Sequence, residues 1–150
     1  MKLADYVMSF LAEKGVKTVF MLPGGGCMHL VDSLGRNKYL DYVCCLHEQA
    51  AAIAAESYAQ HTNNIGVALV TTGPGGTNTI TGVSAAWIDS TPVIFISGQV
   101  KRSDLMGCSG VRQMGPQEVN IVPIVQSITK YATTVKKKKK IKCILEEAYY

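Results

Sequence analysis

The apolar residues of this chain fall into blocks that alternate between helical spacing and short continuous runs. Leu3, Val7, Phe10 and Leu11 recur three and four residues apart, Lys14 continues the repeat and Gly15 follows as a natural C-cap, which predicts an opening amphipathic helix. TVFML then reads as a strand, broken by Pro23-Gly24-Gly25-Gly26. Met28, Leu30, Val31 and Leu34 predict a second helix ending near Gly35, and DYVCCL a second strand. Glu48 to about Thr62 reads as a helix with six Ala between Ala50 and Ala59, and such small side chains let a helix lie close against its neighbours. Gly66 to Thr71 is a continuous apolar run of the kind expected of a strand covered on both faces. GPGGTN leads into a helix carrying Ile80, Val83, Ala86 and Trp87; Asp89-Ser90-Thr91-Pro92 ends it, and Val93 to Ser97 makes a fourth strand.

Beyond Ser97 the pattern loosens. Gly98 to Gly115 shows no sustained period and predicts a loop, and long loops in compact domains are often functional. A helix over Gln117 to Val125, a fifth strand in SITKYATTV, a lysine-rich turn and a helix from about Ile141 are expected after it. The alternation predicts an α/β domain with three α/β/α layers, a mostly parallel sheet and right-handed crossovers. Ligands of such sheets sit at the carboxyl ends of the strands. PGGG after the first strand, HE after the second and TTGPGGTN after the third all fall at that edge and are expected to converge.

Composition narrows the class. A chain of 150 residues suits one domain able to bury a continuous core, and 47% hydrophobic against 17% charged residues is ordinary for a folded α/β protein. The net charge of +4 invites a nucleic-acid reading, but Lys136–Lys140 and Lys142 carry six positive charges, so the rest of the chain is net −2. A polyanion-binding face recurs over a surface and is interleaved with polar or aromatic contacts; one local run reads as a solvated turn, and no nucleic-acid partner is expected. Cys27, Cys44, Cys45, Cys108 and Cys143 form an odd set without a CxxC pair, against a disulfide framework or zinc site and in keeping with a reducing cytoplasm. The first 15 residues hold Asp5 and Glu13 and no long apolar run, so neither a signal peptide nor a membrane span is expected.

Taken singly, the chemical motifs are weak. PGGGCM and GPGGTN lack the Lys-Ser/Thr of a P-loop, and Asn78 stands where GxGxxG needs its third glycine. Each loop reads equally as a tight turn needing positive φ, although both would aim backbone N–H groups at one edge. Glu48 has two readings. An acid in the first turn of a helix complements its dipole, worth about 0.3 to 1 kcal/mol. Alternatively, the strand end and the alanine helix hold it in a dry crevice, where desolvation raises a carboxyl pKa. His29, His47 and His61 are too irregularly spaced for a metal set, no GxSxG elbow surrounds a serine, and Cys44 and Cys45 read as strand core.

Read together, VFMLPGG, LHEQAAAIAAESYA, GVALVTTGPGGTNTITGVSAAWIDSTPVIFISGQV, Gln117-Glu118 and SITKY resemble, in family order and over nearly the whole chain, the N-terminal pyrimidine-binding (PYR) domain of thiamine-diphosphate enzymes of the acetolactate synthase type. The resemblance implies the thiamine-diphosphate-binding fold and a role for Glu48, which matches the family's catalytic glutamate. There the carboxyl group bonds N1′ of the coenzyme's aminopyrimidine and favours the imino tautomer, whose 4′-nitrogen removes the thiazolium C2 proton. A carboxyl group with a raised pKa in a water-poor pocket suits that task. By the same correspondence Pro23 and Gly24 line the pyrimidine pocket, Thr71, Pro74 and Asn78 approach it from the third strand's turn, and Gln117 reaches in from the loop.

Leu22 replaces the aromatic residue that commonly precedes PGG in the synthases, and Pro116 the Phe before Gln-Glu; together with GVRQMGPQEVNIV, which resembles synthase-like proteins of unassigned specificity, they leave the acceptor substrate open. No GDG followed by Asn-Asn occurs, so the resemblance puts the Mg²⁺ and diphosphate site on a separate domain of a partner subunit. The flavin-binding middle domain is absent too, with FAD left open for a full-length protein. The family's sixth strand, which inserts between the fourth and fifth, is expected to be missing, so residues 1–150 read as a PYR domain truncated at its C-terminal end. The expected whole is a decarboxylating carboligase of 2-oxo acids with pyruvate as donor, homodimeric or homotetrameric, whose isolated PYR piece is inactive and presents apolar surface around residues 48–60 and 78–88. Two other readings stand beside it: a PYR subunit of a two-subunit 2-oxo acid decarboxylase, and a non-catalytic regulatory binding module.

Overall fold

The alternation of β-branched runs and amphipathic helices is realised as a wound parallel sheet in the computed structural model, which describes residues 1–150. Four strands, β1 (Thr18–Met21), β2 (Asp41–Cys44), β3 (Gly66–Val70) and β4 (Val93–Ser97), pair in the order β2-β1-β3-β4, every pair parallel. The all-apolar β3 is buried along its length, whereas β2 is an exposed edge.

Side-chain alternation along the strands builds two helical layers. Val19, Met21, Val67 and Leu69 join Val7, Met8, Leu11 and Leu34 in a core formed with α1 (Leu3–Glu13), α2 (Met28–Arg36) and α7 (Ile141–Tyr149). Phe20 points the other way and meets Tyr58 of α3 (Glu48–Thr62), their rings 5.6 Å apart. Ala51, Ala52, Ala55 and Ala59 bury the near face of α3 against the sheet and against α5 (Ile80–Ile88), so its many alanines serve close packing. The three-layer α/β/α fold expected from the sequence is thus present. Ile53, Trp87 and Ile88 remain exposed on the outer helical layer.

Two expectations beyond Ser97 are corrected. The helix expected over Gln117–Val125 is confined to α6 (Ile121–Val125), because Gln117 turns left-handed at φ 57° and Glu118 folds its side chain back into the preceding loop. No fifth strand forms in SITKYATTV: Gln126–Ile128 is a single 3₁₀ turn, and residues 130–136 make no backbone–backbone hydrogen bond. A strand exists only as a member of a ladder. The strand expected between β4 and this segment is not formed by residues 1–150, so the segment has nothing to join, and β4 pairs with β3 alone. No helix is long and apolar enough to cross a membrane.

Candidate functional site

Because β1, β2 and β3 are parallel and in register, their carboxyl ends form one ledge, with Met21 beside both Cys44 and Leu69. Main-chain bonding continues just past the strands: Leu22 N–H donates to Leu69 O at 3.2 Å, Cys45 N–H to Met21 O at 2.8 Å and Gly98 N–H to Val70 O at 2.9 Å. The strand order reverses between β1 and β3, and such a switch point opens a crevice where α/β sheets bind ligands. The two glycine turns leave the sheet on either side of it.

Thr71 ties those turns together. Its Oγ1 accepts from Gly26 N–H at 3.0 Å, and a Cβ on Gly24 would lie 2.6 Å from its Cβ. From the second turn, a Cβ on Gly75 would lie 2.8 Å from the Thr71 methyl and 3.7 Å from Glu48 Oε1. Glycine at both positions keeps the floor between the turns flat. Beneath the first turn, Cys27 is buried with its Sγ 3.3 Å from Gly24 O; burial pushes its thiol up, so it stays neutral and acts as packing.

Glu48 is the first residue of α3. His47 caps that helix, its ring Nδ1 accepting from Gln49 N–H at 3.1 Å, which sets the direction in which Glu48 leaves the backbone. Asn78, between the four-residue turn α4 (Pro74–Thr77) and α5, donates from Nδ2 to Glu48 Oε2 at 3.0 Å. Oε1 has no protein partner and remains accessible beside Gly75. The carboxylate is therefore aimed at the glycine turns, one oxygen held and one free.

The dry crevice that one reading of the sequence gave Glu48 is only partly formed within this chain: Glu48 is half-buried, while His47 and Leu46 beside it are exposed, Leu46 completely. The end of β2 lies at the sheet edge, and no element of residues 1–150 covers it.

The convergence of the three strand-end motifs is otherwise observed. Gly24 meets Thr71, and Glu48 meets Asn78 and Gly75, while Pro23 and Pro74 stand exposed where the two turns begin. Gln117 reaches the ledge through its backbone, its carbonyl lying directly over Gly73, while the residue as a whole is exposed. Residues that sequence reasoning gave no role also belong here. Thr72 is buried and donates to Gln99 Oε1 at 3.2 Å, and Glu118 collects three backbone amides. Gln-Glu at 117–118 was itself a visible signal for Glu118, but only the fold shows where its carboxylate goes.

A parallel sheet that reverses its strand order between two glycine turns, with a half-free carboxylate beside them, defines an α/β ligand-binding domain. Residues 1–124 match the family model described as "Thiamine pyrophosphate enzyme, N-terminal TPP binding domain", and the chain belongs to that family. It is 39% identical over 147 residues to the acetolactate synthase isozyme 3 large subunit of Escherichia coli (strain K12), covering 98% of this chain and 25% of that protein. Similarity extends to the chloroplastic acetolactate synthase of Arabidopsis thaliana, at 38% identity, 98% of this chain and 21% of that one. The large subunit of Lactococcus lactis subsp. lactis (strain IL1403) is 36% identical over 98% of this chain and 24% of its own length. The chain thus spans about a quarter of the length of the curated relatives it matches. The ledge fits the pyrimidine part of such a coenzyme: a floor without side chains at Gly24 and Gly75 admits a flat ring, and the free Glu48 Oε1 offers a proton-sharing partner to a ring nitrogen.

Proposed function

We propose that this chain is the pyrimidine-binding part of a thiamine-diphosphate-dependent, acetolactate synthase-like carboligase that decarboxylates a 2-oxo acid, with pyruvate as donor. The observation that carries the reading is the divided bonding of Glu48: Asn78 occupies Oε2, and Oε1 is left free at the glycine floor. When bound, the coenzyme supplies the carbon nucleophile that adds to the 2-oxo group and accepts the electron pair released with carbon dioxide. Glu48 Oε1 shares a proton with the pyrimidine N1′, and Asn78 keeps the carboxylate pointed there. Thr71 sets the separation of the turns, Pro23, Gly24 and Pro74 shape the pocket, and Gln117 closes its loop side.

Residues 1–150 form half of that site. A partner subunit's diphosphate-binding domain brings the Mg²⁺ site and covers the open end of β2, drying the carboxylate; where the full-length protein uses FAD, a middle domain outside residues 1–150 binds it. The exposed Ile53, Trp87 and Ile88 support burial of this face in a homodimer or homotetramer. The whole protein works in the cytoplasm.

The test is Glu48→Gln in the complex assembled with a diphosphate-binding domain, thiamine diphosphate and Mg²⁺. Loss of acid–base function lowers turnover by about 10² to 10⁴-fold. Turnover equal to wild type would overturn the proposal and favour a regulatory module.

A further inference from the structure

Glu118 is buried, 5% exposed, yet its carboxylate serves no other side chain. Oε1 accepts from Met106 N–H at 2.8 Å, and Oε2 from Met114 N–H at 3.1 Å and Gly115 N–H at 3.3 Å. The amides come from the middle and the end of the loop that follows β4, and Glu118 N–H closes the circuit by donating to Gly115 O at 3.2 Å. The residue just before it, Gln117, holds a left-handed φ of 57°, unfavourable for a side chain with a Cβ and maintained only where the surroundings over-determine it. That conformation lays the Gln117 carbonyl across Gly73, the φ 60° glycine that opens the second glycine turn. A Cβ at Gly73 would collide with this carbonyl, so loop and turn are in direct contact.

We propose that Glu118 is the positioning residue of the site. By gathering the amides of Met106, Met114 and Gly115 it holds residues 104–118 as one closed loop and sets Gln117 against the turn that carries Pro74 and Asn78. It touches no reacting atom and acts through Gln117. The charge of Glu118 is central, because an ionised carboxylate accepts three N–H groups, whereas its protonated or amide form turns one oxygen position into a donor facing amides that need an acceptor. Of the charged groups of the same loop, Asp104 lies near it, and Arg112 lines the same shallow concavity. Burial pushes the Glu118 carboxyl up most, and Asp104 adds a little to that, but the amides of Met106, Met114 and Gly115 together outweigh both, and the carboxyl lies below its ordinary value. A carboxyl lowered by folding stabilises the closed loop fully above its unfolded value, about 4.3, and loses that contribution as pH falls through the lower folded value.

The role of Gln117 at the site rests on the coenzyme reading above; the closure of the loop does not, and its test uses no coenzyme. Amide NMR of the full chain, titrated from neutral pH into acid, should move the signals of Met106, Met114, Gly115 and Gly73 with one common midpoint. In Glu118→Gln that titration is expected to vanish, and exchange of the three loop amides at neutral pH to quicken by about tenfold or more, with Val67–Val70 unaffected. Glu118→Asp, which keeps the charge on a shorter arm, should retain the common titration. The proposal is overturned if Gly73 stays still while the loop amides move, if exchange in Glu118→Gln matches wild type, or if the β3 amides lose protection equally. Should the Gln variant not fold, the wild-type titration of Gly73 decides alone.

Discussion

Between Thr18 and Ser97 each strand has another beside it, and the central pair, β1 and β3, has helices packed over it; from Gly98 to Tyr150 no strand forms at all. Burial follows the same division: of the 35 buried residues only Gly98, Gly115, Glu118, Val125 and Leu145 lie beyond Ser97. The first region is held by apolar contact and backbone ladders, which many residues share. In the second only α7 joins the central core, through Leu145; the rest is held by single polar groups reaching for backbone atoms: Glu118 to three amides, Thr129 Oγ1 to Val125 O at 2.9 Å, and Lys130 Nζ to Tyr150 O at 2.9 Å. The candidate site stands on the seam, with its carboxylate and glycine floor in the first region and Gln117 in the second.

The sharpest way to break this comparison is to remove comparable apolar mass from each side. Leu69, with no exposed surface, lies in the central core, and Leu69→Ala should cost about 2 to 5 kcal/mol in urea unfolding. Val125, 9% exposed and outside that core cluster, loses two carbons in Val125→Ala, and the cost should be about 1 to 2 kcal/mol. Equal costs would mean that both regions unfold as a single unit with equally dense packing. A smaller perturbation probes the seam. In Gly24→Ala the new methyl lies 2.6 Å from Thr71 Cβ and 2.7 Å from Oγ1, atoms too near the backbone to swing clear, so the turns must part. Overpacking of this kind costs about 1 to 3 kcal/mol. Thiamine-diphosphate affinity of the assembled complex should fall with it, and unchanged affinity would detach the glycine floor from coenzyme binding.

The same seam divides what could be read from the sequence. Up to Ser97 most residues' places follow from their neighbours in sequence, as the covered β3 run Gly66–Val70 and the close-packed alanines of α3 show. Cys44 and Cys45, which read as strand core, instead lie at the exposed edge strand β2, Cys44 exposed and Cys45 half-buried, because nothing in the local pattern tells an edge strand from a central one. Glu48 stood out by its place at the start of the alanine helix, but its role, and the choice of Asn78 and Thr71, came from the resemblance rather than from period or spacing, and the fold brings the three to one ledge. The partial burial of Glu48 was not legible, because its surroundings at the end of an edge strand are set by the sheet order rather than by local sequence. Past Ser97 local signals misled. SITKYATTV is rich in Thr, Val and Tyr and reads as a strand, but strand formation needs a partner edge, which is a property of the whole sheet. Gln117-Glu118 suits a helix start by composition, yet the buried carboxylate finds its three donors in the loop instead.

The smallest effect is expected in the lysine run. Lys136–Lys140 are all exposed, and the contact that fixes the run uses its backbone: Arg102 Nη1 donates to Lys136 O at 3.3 Å. Replacing Lys137, Lys138 and Lys139 together by Gln leaves that carbonyl in place while thinning a crowd of like charges on a chain of net +4. Each substitution should shift stability by less than about 0.5 kcal/mol. The sign should depend on salt. At low ionic strength the triple variant gains from relieved repulsion, and above about 0.15 M, where the screening length is near 8 Å, the two proteins should unfold at indistinguishable urea midpoints. A loss that persists in high salt would show that these side chains, rather than the backbone carbonyl alone, hold the outer region to the loop after β4, and the second region would then be more tightly built than its few buried residues imply.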